Sequence, residues 1–165
     1  MEQICESADI GFGKVNAELI PDYLTMVNDR ENVGRFIGEP HPPYTEEQEL
    51  HWVRCKLEEN APVFSMIEKK TGGFIGNVEL MNVQNGEAEL GIALTANMQD
   101  QGYGTQAITA LTAYGFAHME LQRITLRAFL FNARAIHVYK KCGFREYRRT
   151  DNDVIMELFP PSANA

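Results

Sequence analysis

The chain has 165 residues, of which 44% are apolar and 23% charged, with 13 glycines and seven prolines. Those proportions exclude collagen-like, disordered and low-complexity chains and predict one folded domain over residues 1–165. The 15 basic residues against 23 acidic ones leave a formal charge of −8, which argues against nucleic acid as a partner and mildly favours a cationic substrate. The same excess of carboxylates also serves plain solubility.

No window approaches the roughly 18 uninterrupted apolar residues of a membrane span. The Met1–Asp9 start carries Glu2, Glu6 and Asp9 and lacks the basic opening and apolar run of a signal peptide. Cys5, Cys55 and Cys142 lie far apart, and His41, His51, His118 and His137 form no ligand spacing with them. The expectation is a cytoplasmic protein with reduced thiols, no metal and no membrane partner. A homodimer is a common assembly for such a chain.

In chain order, Ile10 to Val15 reads as a strand and Glu18 to Asn32 as a helix with Leu19, Tyr23, Met26 and Val27 near one face. Gly38 to Pro43 holds three prolines and reads as an ordered loop. Thr45-Glu46-Glu47-Gln48 has the form of a capping box, and a helix to about Glu59 follows. The period then changes. Val63 to Ile67, Phe74 to Val83 and Glu87 to Leu94 read as an antiparallel meander, with Gln84-Asn85-Gly86 as a hairpin signal. Gly102 to Met119 is predicted to be helical, Arg123 to Phe131 a strand, and Asn132 to Cys142 a short helix stopped by Gly143. Phe144 to Arg149 and Val154 to Phe159 close the sheet. The sum is an α+β (mixed α/β) domain: six or seven mostly antiparallel strands with helices on both faces.

Chemistry concentrates at Gln99-Asp100-Gln101-Gly102-Tyr103-Gly104-Thr105, between a strand and a helix. Its two glycines let the backbone turn tightly and approach a ligand. Unpaired amides and a positive dipole at a helix start suit a phosphate or pyrophosphate. A tight turn without a ligand has the same pattern. Gly102 to Ala107 also matches a loose dinucleotide fingerprint, but the following strand ends Leu130-Phe131-Asn132 without the acid that would hold a ribose. No Gly-Lys-Ser/Thr phosphate loop is present. A second segment runs from Asn132 to Phe144, where Ala135, Ile136 and Tyr139 share a helix side. Tyr139 in isolation reads equally as a core aromatic, and Asn132 as a cap.

Together, Gln99-x-x-Gly102-x-Gly104 and Asn132…Ala135…Tyr139…Gly143-Phe144 resemble the two motifs of the GNAT superfamily of N-acetyltransferases. Glu89-Leu90-Gly91-Ile92 and the Ala135–Phe144 run most resemble its RimJ/RimL-type branch, which acetylates ribosomal-protein N-termini or polyamines. The resemblance covers roughly residues 8 to 159. It implies acetyl-CoA as co-substrate and a sheet splayed at its middle. By resemblance, Gln99, Gln101, Gly102, Tyr103, Gly104 and Thr105 would cradle the pyrophosphate. Main chain at Leu94, Thr95 and Ala96 would pair with the pantetheine arm, which Asn132 and Ala135 would also touch. Glu89 would serve as base, with Glu87 and then Glu79 behind it, and Tyr139 as general acid. The acceptor, a small amine or a protein N-terminus, would lie against the first two helices and their loop. Asp29, Arg30, Glu31, Phe36, Glu39, Tyr44, Glu46, Glu47, Glu49 and Trp52 sit there, although Glu46 to Glu49 also makes a favourable acidic first turn. The alternatives to an enzyme are a catalytically silent acyl-CoA sensor and a structural interaction protein.

Overall fold

The elements, in chain order, are β1 (Ile10–Lys14), α1 (Ile20–Val27), α2 (Arg35–Ile37), α3 (Glu46–Glu58), β2 (Val63–Glu68), β3 (Phe74–Gln84), β4 (Glu87–Leu94), α4 (Tyr103–His118), β5 (Arg123–Phe129), α5 (Ala133–Lys141), β6 (Arg145–Arg149) and β7 (Asp153–Leu158). This computed structural model describes residues 6–161; Cys5 and most of the acidic leader lie outside the described residues. The strands form one sheet in the order β1-β2-β3-β4-β5-β7-β6. Every neighbouring pair is antiparallel except β4 and β5. No helix among the described residues is long and apolar enough to cross a membrane, and those residues hold no cluster of metal ligands.

Strand alternation sorts the side chains onto two faces. Ala88 and Leu90 of β4, Ile124 and Leu126 of β5, and Val154 and Met156 of β7 are buried in one cluster with Ala107, Ile108 and Leu111 of α4. On the other face, Val63 and Phe74 pack with Tyr23 and Met26 of α1 and Val53 of α3. The turn between β3 and β4 takes Asn85 at φ 52° and Gly86 at φ 76°, the left-handed pair a tight hairpin demands. Thr45 caps α3 reciprocally: its hydroxyl accepts from the Gln48 amide at 3.2 Å while its own amide donates to Gln48 Oε1 at 2.9 Å.

The helix expected from Glu18 to Asn32 is broken. A 3₁₀ turn (Ala17–Leu19) leads into α1, which stops at Val27, and a π-helical turn (Arg30–Gly34) precedes α2. The cause is local competition for backbone groups. Asp29 leaves helical dihedrals and its carboxylate accepts from the Asn32 amide at 3.2 Å. Asn28 bonds both the amide and the carbonyl of Tyr44, at 2.8 and 3.0 Å, and so ties down the proline loop. β5 ends at Phe129, two residues before the expected Phe131, because the Asn132 amide bonds back to the Phe129 carbonyl at 3.0 Å and closes a turn.

The parallel pairing of β4 with β5 is short. It joins Glu87–Glu89 to Arg123–Thr125 and stops. Beyond it β4 stays paired with β3 as far as Leu94, and β5 stays paired with β7 as far as Phe129. The sheet therefore opens in its middle, on the side where α4 begins. One residue fixes that edge of β4. A Cβ at Gly76 would run into the Ala93 carbonyl oxygen and lie 2.9 Å from Leu94 Cα, so β3 can approach β4 here only as glycine.

Candidate active site

The opening leads to the start of α4. Gly102 precedes the helix with φ 86°, left-handed, and Asp100 has φ 61°. Among the described residues, the amides from Asp100 to Thr105 donate to no protein acceptor. They converge at the positive end of a 16-residue helix. A Cβ on Gly104 would meet only Leu94 Cδ1 at 3.7 Å and Val138 Cγ1 at 3.9 Å. A methyl would therefore fit here in ordinary contact, and the fold itself does not require glycine at 104. The adjoining cavity, about 170 Å³, is lined by Leu94, Gln99, Gly102, Gly104, Thr105, Asn132, Ala135 and Val138. Apolar walls leading to a ring of free amides fit a pantetheine arm ending in a diphosphate, the shape of acetyl-CoA.

Not every residue expected at this cavity lines it. The Thr95 amide donates to Ile75 O at 2.9 Å, and Ala96 opens a 3₁₀ turn (Ala96–Met98). Gln101 donates to Asn97 O at 2.7 Å. The Tyr103 side chain points into the core, 6% exposed, and its hydroxyl donates to Glu68, which pushes its pKa up to about 12. Tyr103 therefore anchors the first turn of α4 to β2 by its side chain. Gln99 donates to Leu94 O and Asn32 O, each at 3.0 Å, and accepts from Arg134 at 2.8 Å. Arg134, which also pairs with Asp100 at 3.1 Å, brings a guanidinium to the mouth of the amide ring. Sequence reading passed over Arg134; its place in the first turn after the Asn132 cap was the available signal.

A second cavity, about 600 Å³, lies on the other side of the opening. Four carboxylates line it, from Glu49, Glu79, Glu89 and Asp153, against one basic group, Arg127. Aromatic walls come from Tyr23, Phe36, Tyr44, Trp52 and Phe129. The two cavities share Phe36, Ile37, Ile92, Ala93 and Tyr139. Tyr139 is thus the side chain of α5 that stands between them. Burial, and secondarily the Cys142 thiol, push its pKa up to about 12, so the phenol stays protonated. Its ring meets Phe144 edge-on at 6.3 Å.

The acids differ in their engagements. Glu89 receives only a 3.4 Å contact from Asn82. Glu79 is held by Lys56 at 3.4 Å. Glu87, expected as the next candidate base, does not line the cavity: it is turned to Arg123 at 2.9 Å, which also holds Glu157 at 2.7 Å. Glu49 is 8% exposed, its carboxylate has no hydrogen-bond partner among the described residues, and burial raises its pKa. Of the residues expected around the acceptor, Phe36, Tyr44, Glu49 and Trp52 line the cavity, while Asp29, Arg30, Glu31, Glu39, Glu46 and Glu47 do not. Tyr23, Asn77, Arg127 and Asp153 were not foreseen there. The Tyr23 hydroxyl and Ser65 share a 2.5 Å hydrogen bond, and Ser65 donates to Asn77 at 2.8 Å, a buried polar chain under the cavity floor.

A splayed mixed sheet with a free-amide helix start at the gap defines an acyl-CoA-dependent acetyltransferase. The chain belongs to the acetyltransferase (GNAT) domain family, which it matches over residues 10–145. It is an N-acetyltransferase, and acetyl-CoA is its acyl donor. Among relatives, it is 28% identical over 121 residues to the spermidine N(1)-acetyltransferase of Vibrio cholerae, covering 72% of this chain and 69% of that one. It is 30% identical over 115 residues to the uncharacterized N-acetyltransferase YnaD of Bacillus subtilis, covering 69% and 66%. Among solved structures, a GNAT-family acetyltransferase from Bacillus anthracis superimposes with a TM-score of 0.84 at 18% identity, over 94% of this chain and 97% of that one. The Vibrio cholerae spermidine N-acetyltransferase in complex with CoA and spermine gives 0.81 at 20% identity, over 93% and 96%.

Proposed function

We propose that this chain, as a single domain, transfers acetyl from acetyl-CoA to a primary amine by direct attack in a ternary complex. The observation that carries this reading is the wall shared by the two cavities. A thioester entering from the amide ring and an amine entering from the acidic cavity meet at Tyr139 and Ala93. The thioester supplies an activated acetyl group. The amides of Asp100 to Thr105 bind the diphosphate, Arg134 adds a cation, and Asn132 and Ala135 border the arm.

An ammonium is drawn in by the four carboxylates and the aromatic faces. It must lose a proton before it can attack. Glu89 takes that proton, directly or through a water, because Glu79 and Glu87 are held by Lys56 and Arg123. The protonated Tyr139 phenol donates to the departing sulphur. The acid-rich cavity and the relatives named for spermidine support a small polyamine-type acceptor. A protein N-terminus, the other acceptor of the RimJ/RimL-type branch, is the second reading.

The test is release of free thiol from acetyl-CoA with a panel of polyamines, other amines and short peptides. Turnover with at least one primary amine is expected. Heat of acetyl-CoA binding without turnover on any amine would leave an acyl-CoA sensor instead.

A further inference from the structure

The acidic cavity does not end at Glu89. A second groove, about 240 Å³, starts at Glu89 and Arg127, crosses Thr125 and Ile155, and reaches Tyr147 and Arg148. It runs over the half of the sheet formed by β5, β7 and β6, where every residue of β6 is exposed. Its charged lining reverses that of the cavity: Arg127 and Arg148 are basic, against Glu89 alone at its start. Arg127 offers most of its donors to solvent: its side chain is 55% exposed, with a single 3.3 Å contact to Asp153. Arg148 has no ion pair among the described residues.

We infer that this groove receives the chain of a polypeptide acceptor, and that the enzyme prefers a free N-terminus followed by acidic residues. This rests on the amine-acetylating reading and concerns its second acceptor class, a protein N-terminus. A polyamine held in the acidic cavity gains nothing from Arg127 and Arg148, because both are cations; a peptide with carboxylates does. A peptide whose α-amine lies at Glu89 leaves the gap in the direction of β5. Arg127 lies two residues past the last β4–β5 rung, where the strands have parted, so it is more than one strand spacing, about 4.8 Å, from β4; Arg148 lies two strands further, about 10 Å more. An extended chain advances about 3.4 Å per residue. A carboxylate at the second or third residue therefore reaches Arg127, and one at the fourth or fifth reaches Arg148. The groove floor is largely side chain, with Ile155 buried beneath the two arginines, so it reads charge and tolerates other sequence.

The experiment is kcat/KM for three hexapeptides with a free N-terminal serine: acidic at positions two, four and five, lysine at the same positions, or glycine throughout. Spermidine is measured alongside. The acidic peptide should exceed the lysine peptide by about tenfold or more, a gap that 0.5 M salt narrows because exposed charges are screened. In Arg148→Glu the acidic-to-lysine ratio should fall below one. Arg127→Gln should lower the same ratio without reversing it. Equal rates for the acidic and lysine peptides, or a ratio unmoved by Arg148→Glu, overturns the inference. An RNA oligonucleotide that binds this strip while the peptides show no preference also overturns it. If neither peptides nor spermidine release thiol, it is the amine-acetylating reading that has failed.

Discussion

The two cavities share a wall but are made of different material. The slot proposed for the acyl donor draws its polar contacts mainly from backbone: six free amides, a left-handed glycine and a strand edge that has lost its neighbour. The cavity proposed for the acceptor is drawn from side chains of α1, α2, α3, β2, β3, β4, β5, α5 and β7. Backbone binding depends on a short stretch of chain and on helix geometry, so it persists while the surface changes. Side-chain binding can be rewritten one residue at a time. One donor can therefore serve many acceptors on a single framework.

The sharpest way to break this division is at the shared wall. Tyr139→Phe removes one oxygen atom, and turnover should fall by about 100-fold or more, as for loss of a general acid. Acetyl-CoA affinity, read by calorimetry, should stay within about threefold. In the parent enzyme, a phenol pushed up to about 12 remains protonated. Its titration therefore imposes no falling alkaline limb on the kcat profile below about pH 10. A tyrosine that only packs would leave turnover unchanged.

On the backbone side, Gly104→Ala separates fold from function. The new methyl finds only ordinary contacts at 3.7 and 3.9 Å. In a helix, alanine is favoured over glycine by about 0.5–1 kcal/mol, so Tm should rise by a few degrees. The same methyl occupies the hollow beside the free amides, and KM for acetyl-CoA should rise by about tenfold. A raised Tm with an unchanged KM would remove the diphosphate from this corner.

On the side-chain side, Glu49→Gln gives the smallest effect. Burial raises the carboxyl's pKa, so between its unfolded and folded values the folded state holds a proton that the unfolded chain releases. Stability from this group is full below the ordinary carboxylate range and is lost as pH rises through the folded pKa. The glutamine variant should show a flatter stability curve across that window, by denaturant titration at several pH values. KM for cationic acceptors should rise a few-fold and KM for acetyl-CoA should not move.

The same division explains what could be read from the sequence. The Asn85-Gly86 hairpin, the Thr45–Gln48 capping box and the Gly102 turn each depend on neighbours within a few positions, and each is legible. The break after Val27 turns on Asp29, whose carboxylate takes the Asn32 amide where a continued helix fits the pattern equally well, and the tie from Asn28 to Tyr44, 16 residues on, leaves no mark in the sequence. Glu49 looked like part of an acidic first turn, and only the packing of α3 turns it inward, unlike its neighbours Glu46 and Glu47. Arg127 and Asp153 are 26 residues apart and become one pair only through the β5–β7 register. Periodicity carries no information about such meetings.

The brevity of the β4–β5 ladder has a mechanical meaning. Within the sheet, only three residue pairs join a four-stranded lobe, β1 to β4, to a three-stranded one, β5, β7 and β6; the core under α4 holds the two together besides. A donor lodged in the gap takes the place of the missing rungs, and its binding energy adds to cohesion between the lobes. If the acyl carrier occupies this gap as proposed, it acts as a removable keystone: its binding should raise Tm, and departure of spent product should lower it again.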